Sequence, residues 1–141
     1  MIRVVLDTNV LVSAVLSPGG PCAMLVRECL EGRLHLLLCA EIEAEYREVL
    51  QRPRFGQRPE RVAGLVAALV AVAEVHTVPL EPPRVRLPDP DDEVFAELAF
   101  LASADELVTG NLRDFAPLIE TATVAVLAPR DLVTRLRGRE A

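Results

Sequence analysis

The chain contains no lysine; all 15 of its basic residues are arginine. That excludes Schiff-base chemistry, a lysine general base and the lysine of a Walker-type phosphate loop, and the Gly19-Gly20 pair is read as a turn. Histidine is scarce too, with only His35 and His76, and the three cysteines (Cys22, Cys29 and Cys39) form no C-x-x-C pair. A zinc site of the usual Cys/His spacing is therefore not expected, and the cysteines read as small buried hydrophobes. Neither histidine stands in a triad pattern, which leaves Ser13 without an activating base. Aromatic residues make up 4% of the chain, too few for base recognition mainly by stacking. The longest apolar run, Val62 to Ala73, is interrupted by Gly64 and closed by Glu74, well short of the roughly 20 residues of a membrane-spanning helix. The amino terminus reaches Asp7 after a strand-like run, unlike a signal peptide, so no membrane partner and a cytoplasmic location are expected. Chemistry in this chain must run on carboxylates, hydroxyls and arginines.

What is present suits one compact domain: 141 residues, 51% hydrophobic and 26% charged. The net charge of −6 argues against a generic nucleic-acid binder, but the charge is unevenly placed. Residues 47–61 hold five arginines against two acids and residues 130–141 four against two, whereas residues 62–129 hold eleven acids against three arginines. An acid-dense region between two arginine-dense ones is the pattern of a metal site beside a phosphate-binding surface.

Strand-like and helical stretches alternate along the chain. Strands are predicted at Ile2–Leu6, Leu34–Cys39, Val75–Leu80, Glu106–Thr109 and Thr123–Leu127. Helices are predicted at Pro21 to about Glu31, Glu41–Leu50, from Pro59 through Ala73, Asp91–Ala102, around Asp114–Glu120, and from Pro129 onward. The proline-rich stretch Glu81–Pro90 reads as an extended connection. This is an α/β chain with a mainly parallel central sheet of four to five strands flanked by helices in a Rossmann-like, three-layer arrangement.

In such a sheet, functional side chains gather beyond the carboxyl ends of the strands. Asp7, followed by Thr8 and Asn9, stands after the first strand; Asn111 and Asp114 stand after the strand that ends at Thr109. If those two strands are neighbours, their acids face one crevice. Glu45 lies only about 40° around its helix from Val49 of the apolar stripe Ile42, Tyr46, Val49 and Leu50, an expensive place for an unpaired carboxylate. Asp89-Pro90-Asp91-Asp92 offers a further acid, and periodicity does not choose between Asp91 and Asp92. An N-cap role would also suit either one.

These blocks resemble the PIN-domain family, small metal-dependent ribonucleases that include the toxins of many bacterial toxin–antitoxin pairs. The matching residues are Val5-Leu-Asp-Thr-Asn-Val10, Glu45-Tyr-Arg-Glu-Val-Leu50 with Arg52-Pro-Arg-Phe55, Asp89-Pro-Asp-Asp92, and Leu107-Val-Thr-Gly-Asn-Leu-Arg-Asp-Phe115. The resemblance implies a single PIN domain over residues 1–141, with catalytic and metal-holding acids at Asp7, Glu45, Asp92 and Asp114 and a further metal-side position at Asn111, where many relatives carry Asp. Thr8, Asn9 and Thr109 would orient ligands or water, and Arg47, Arg52 and Arg54, with Arg58 and Arg61, would track an RNA backbone. Converging carboxylates repel unless a cation joins them, and an all-oxygen set suits Mg²⁺ or Mn²⁺.

The expected activity is hydrolysis of single-stranded RNA, leaving a 3′-hydroxyl and a 5′-phosphate. An antitoxin would cover the crevice, and the apolar 62–73 helix would serve a homodimer. The alternative expectation, favoured by Asn111 and the acidic charge, is a catalytically weak PIN-like module that binds a protein or RNA partner. A haloacid-type phosphatase is disfavoured because Asn9 stands where its second aspartate belongs.

Overall fold

The computed structural model describes residues 1–79, 82–121 and 123–140. Five strands form one sheet: β1 (Arg3–Leu6), β2 (His35–Cys39), β3 (Glu74–His76), β4 (Glu106–Val108) and β5 (Ala125–Leu127). Their order is β3-β2-β1-β4-β5 and every pairing is parallel. Among the described residues seven helices connect and cover them: α1 (Thr8–Leu16), α2 (Pro21–Leu30), α3 (Ala40–Leu50), α4 (Pro59–Val72), α5 (Glu93–Leu101), α6 (Ala116–Thr121) and α7 (Pro129–Glu140). Among the described residues no single helix is long and apolar enough to cross a membrane.

The three central strands are buried on both faces, which is why they read as unbroken apolar runs rather than alternating ones. Val4, Val5, Leu6, Leu36, Leu37, Leu38, Leu107 and Val108 all belong to the core. From β1 the chain builds outward to β2 and β3, then returns to place β4 and β5 on the other side. The sheet order therefore reverses between β1 and β4, and ligand crevices in open α/β sheets form beyond the carboxyl ends of the strands at such a reversal. The condition for a shared crevice is met, since these two strands are neighbours: Leu6 pairs with Val108, and the Asp7 amide donates to the Val108 carbonyl at 2.9 Å.

Local chemistry sets the element boundaries. Pro21 and Pro59 open α2 and α4, where a missing N–H costs nothing. Gly32 ends the α2–β2 turn at φ +78°, a backbone angle that favours glycine. Helix α1 carries no sequence expectation, because β-branched Val10, Val12 and Val15 among other apolar residues give no clear helical period.

Several predicted boundaries move. The third strand covers Glu74–His76 rather than Val75–Leu80, with Pro79 beyond its end and Leu80 outside the described residues. The last strand starts at Ala125. The predicted helices at Asp91 and Asp114 each begin as a 3₁₀ turn, over Pro90–Asp92 and Leu112–Phe115, before α5 and α6.

Candidate functional site

Asp7 is the first residue past β1 and the N-cap of α1. It is 7% exposed, and both carboxylate oxygens are held. Oδ1 accepts from the Thr8 amide and Oδ2 from the Thr109 hydroxyl, each at 2.8 Å. The Thr109 hydroxyl in turn accepts from the Asn111 amide at 3.0 Å, which fixes it as the donor toward Asp7. Asn9 braces the facing turn, its Oδ1 accepting from the Gly110 amide at 3.0 Å. A Cβ at Gly110 would stand 3.4 Å from that oxygen, so glycine lets the two turns approach. Of the residues expected to orient ligands or water, Thr8 and Thr109 donate to Asp7, and Asn9 Nδ2 donates to the Thr109 hydroxyl at 3.5 Å.

Glu45 reaches the same place from α3. Of the predicted stripe, Ile42, Tyr46 and Leu50 are buried and Val49 is only partly so, and the fully buried Tyr46 hydroxyl donates to the Leu6 carbonyl at 2.5 Å. That bond ties α3 to the carboxyl end of β1, one residue from Asp7, and aims the neighbouring Glu45 inward. The Thr8 hydroxyl then donates to Glu45 Oε2. Tyr46 was legible only as a core residue; its hydroxyl as the anchor of Glu45 was not.

Asp91 and Asp92 differ in exposure and surroundings. Asp89 caps the turn, accepting from the Asp91 amide at 2.9 Å. Asp91 is exposed. Asp92 is half-buried, its side chain makes no capping bond, and it lies within electrostatic reach of Asp7, Asp114 and Glu45. Asp114 completes the group, held by the Asn111 side-chain amide at 2.9 Å. Asn111 itself is exposed and spends its amide on Asp114.

The electrostatics follow from this crowding. Burial first, then the charges of Glu45 and Asp114, push Asp7 up to about 6 against the opposing Thr109 and Thr8 hydrogen bonds. Burial, followed by Asp7, Asp89, Asp114 and Glu45, pushes Asp92 up to about 7. Glu45 is raised by burial first and then by Asp91, Glu48 and Asp89, with the Thr8 bond opposing. Among the described residues none of the four acids makes a salt bridge. Such an uncompensated set of hard oxygen donors fits a divalent cation chemically. As the side chains stand, however, no three His, Cys, Asp or Glu residues among those described are grouped closely enough to hold one.

The arginines expected along the RNA path are partly engaged elsewhere. Arg47 pairs with Glu43 at 3.4 Å and Arg52 with Glu48 at 3.0 Å along their own helix segment. Arg54 stacks over Phe55 at 4.9 Å. Arg58 and Arg61 border a polar hollow with Gln57.

An all-parallel sheet with acids from four separate segments at its reversal point defines an α/β domain with an acidic, oxygen-lined crevice. A family model described as PIN domain matches residues 3–113, most of the chain, and the chain belongs to the PIN-domain family. The matched region contains Asp7, Glu45, Asp92 and Asn111, and Asp114 lies one residue beyond it. No curated protein gives a significant match. Among solved structures, the fold is similar to a chain of the crystal structure of VapBC2 from Rickettsia felis bound to a DNA fragment from their promoter. That similarity has a TM-score of 0.60 at 14% identity and covers 90% of this chain and 98% of that one. At this identity the likeness concerns the fold.

Proposed function

We propose that this chain is a Mg²⁺- or Mn²⁺-dependent endoribonuclease that hydrolyses single-stranded RNA in the cytoplasm, acting as the toxin of a toxin–antitoxin pair. The observation that carries the proposal is the group of four carboxylates without a cationic partner, two of which have their proton affinity raised by burial and then by the charges of the others. Asp7, Glu45, Asp92 and Asp114 would hold the ion, with the Asn111 amide setting Asp114. A bound divalent cation supplies Lewis acidity, acidifying a water and neutralising charge on a phosphodiester. The chain's own residues do the positioning: Thr8 and Thr109 fix Glu45 and Asp7, and the buried flank of Asp7 keeps bulk water off one side. The products are a 3′-hydroxyl and a 5′-phosphate.

The structurally similar VapBC2 assembly favours an antitoxin partner for this chain. An apolar groove between α1 and α4, lined by Ala14, Val15, Val62, Gly64 and Leu65 and edged by Arg61, suits an amphipathic partner segment. The exposed small residues of α4, among them Ala67, Ala68 and Ala71, suit a homodimer contact.

RNA cleavage in Mn²⁺, with and without EDTA and with Asp7→Asn, tests the chemistry. Cleavage that disappears in both cases is expected, and cleavage that survives both contradicts the reading. The second reading, a weakly active PIN-like module binding a protein or RNA, is favoured by Asn111 and by the open spacing of the acids. It predicts partner binding that Asp7→Asn leaves intact and no metal-dependent turnover to remove.

A further inference from the structure

Residues 130–141 carry four arginines against two acids, and the acidic crevice uses none of them. Helix α7 sorts these arginines by face. Arg135 turns inward to the buried Glu106, while Arg130 and Arg137, two turns apart and so about 20° from alignment, face α2 together. Helix α2 contributes Arg27, whose Nη1 donates to the Pro18 carbonyl at 3.1 Å and so stays beside the Gly19-Gly20 loop. Arg27, Arg130 and Arg137 line one cleft of about 280 Å³, with Gly20 and Thr134 among its walls and no acidic residue in its lining. Among the described residues none of the three arginines makes a salt bridge. The first turn of α2 also opens here, with no side-chain cap and no acid in it.

We propose that the α2–α7 cleft binds a phosphate group, carried either by a free anion or by the backbone of a single-stranded nucleic acid. Arginine presents a planar fork that matches phosphate oxygens in pairs. In a chain of net charge −6, a pocket with three cations and no acid localises an anion that the overall charge disfavours. The site is built across 110 residues of sequence, from Arg27 to Arg137, and shares no lining residue with the acidic crevice. If nucleic acid supplies the phosphate, the cleft rests on the nuclease reading and holds substrate away from the reacting bond. If free phosphate suffices, it stands without that reading.

Amide NMR in EDTA tests the proposal, using inorganic phosphate against chloride at equal ionic strength, and a 2′-O-methyl single-stranded oligonucleotide that resists cleavage. The expected result is saturable shifts at Gly19, Gly20, Cys22, Ala23 and Thr134. Affinity should fall roughly tenfold in Arg27→Gln and further in Arg130→Gln/Arg137→Gln. Tighter binding of the oligonucleotide than of phosphate assigns the backbone as ligand, and equal binding assigns the free anion. If the double variant does not fold, Arg130→Gln and Arg137→Gln singly, both at exposed positions, read the same loss. Asp7→Asn should keep these shifts, so failure of the nuclease reading leaves this result standing. No saturable shift beyond chloride with either probe, or binding undiminished by the arginine substitutions, overturns the proposal.

Discussion

The two ends of one sheet treat their carboxylates in opposite ways. On the amino-terminal side, Glu74 of β3 is gripped by Arg3 at 2.7 Å, His76 at 2.5 Å and His35 at 3.2 Å, and these partners hold it down at about 2. Glu106, 2% exposed at the start of β4, pairs with Arg135 of α7. At the carboxyl end, Asp7 and Asp92 have no cation beside them and rise to about 6 and about 7. Glu74 and Glu106 each have an arginine in contact, whereas Asp7 and Asp92 are raised by burial and then by neighbouring carboxylates, with no cation beside them. Paired acids serve the fold, whereas unpaired, mutually repelling ones tax it and are tolerated where something else is to be bound.

Substitutions separate the two ends. The largest effect expected is on activity: Asp7→Asn should lower Mn²⁺-dependent RNA cleavage by about a hundredfold or more, while raising the melting temperature of the metal-free protein at neutral pH. Loss of activity together with a lowered melting temperature would place Asp7 among the structural acids. At the other end, Arg135→Ala strands the buried Glu106 carboxylate and should destabilise the fold by about 3 kcal/mol in chemical denaturation, with little change in cleavage per folded molecule.

The pH dependence sharpens the contrast. Asp7 and Asp92 bind protons more tightly folded than unfolded, so their contribution favours the fold at low pH and is lost as pH rises through about 6 and about 7. Glu74 behaves in the opposite sense: its contribution is present above the ordinary glutamate range and is lost as pH falls toward about 2. Through these groups, metal-free melting temperature should therefore peak near pH of about 4, in the ordinary carboxylate range, and fall from there toward about 6 and about 7. Asp7→Asn/Asp92→Asn should flatten the alkaline side alone, and an unchanged alkaline slope would contradict the assignment. The smallest effect is expected at Arg52→Ala, whose exposed pairing with Glu48 at 3.0 Å should contribute under about 0.5 kcal/mol.

Much of this site was legible in the sequence because its signals are local. Asp7 follows an apolar strand, and Glu45 breaks the polarity pattern of α3 beside its buried stripe. What joins them was not legible. The Tyr46–Leu6 and Thr8–Glu45 bonds span 40 and 37 residues, and a hydroxyl on a core residue gives no sign of its acceptor. Asp91 and Asp92 share one local context, and only packing against distant segments makes the second face the crevice. Helix α1 escaped because its β-branched, evenly apolar residues suit a strand as well as a buried helix. The arginines near residues 47–61 looked free in sequence, yet the i,i+4 partners Glu43 and Glu48 take two of them.

The central claim is that four distant segments hold one divalent cation together, and Mn²⁺ titration followed by paramagnetic broadening of amide signals tests it most directly. Signals around Asp7–Asn9, Glu45, Asp92 and residues 111–114 should fade together at low Mn²⁺, and Asp7→Asn should remove the effect at all of them. Fading confined to the exposed Asp89–Asp91 turn, with the β1 and β4 ends untouched, would contradict it.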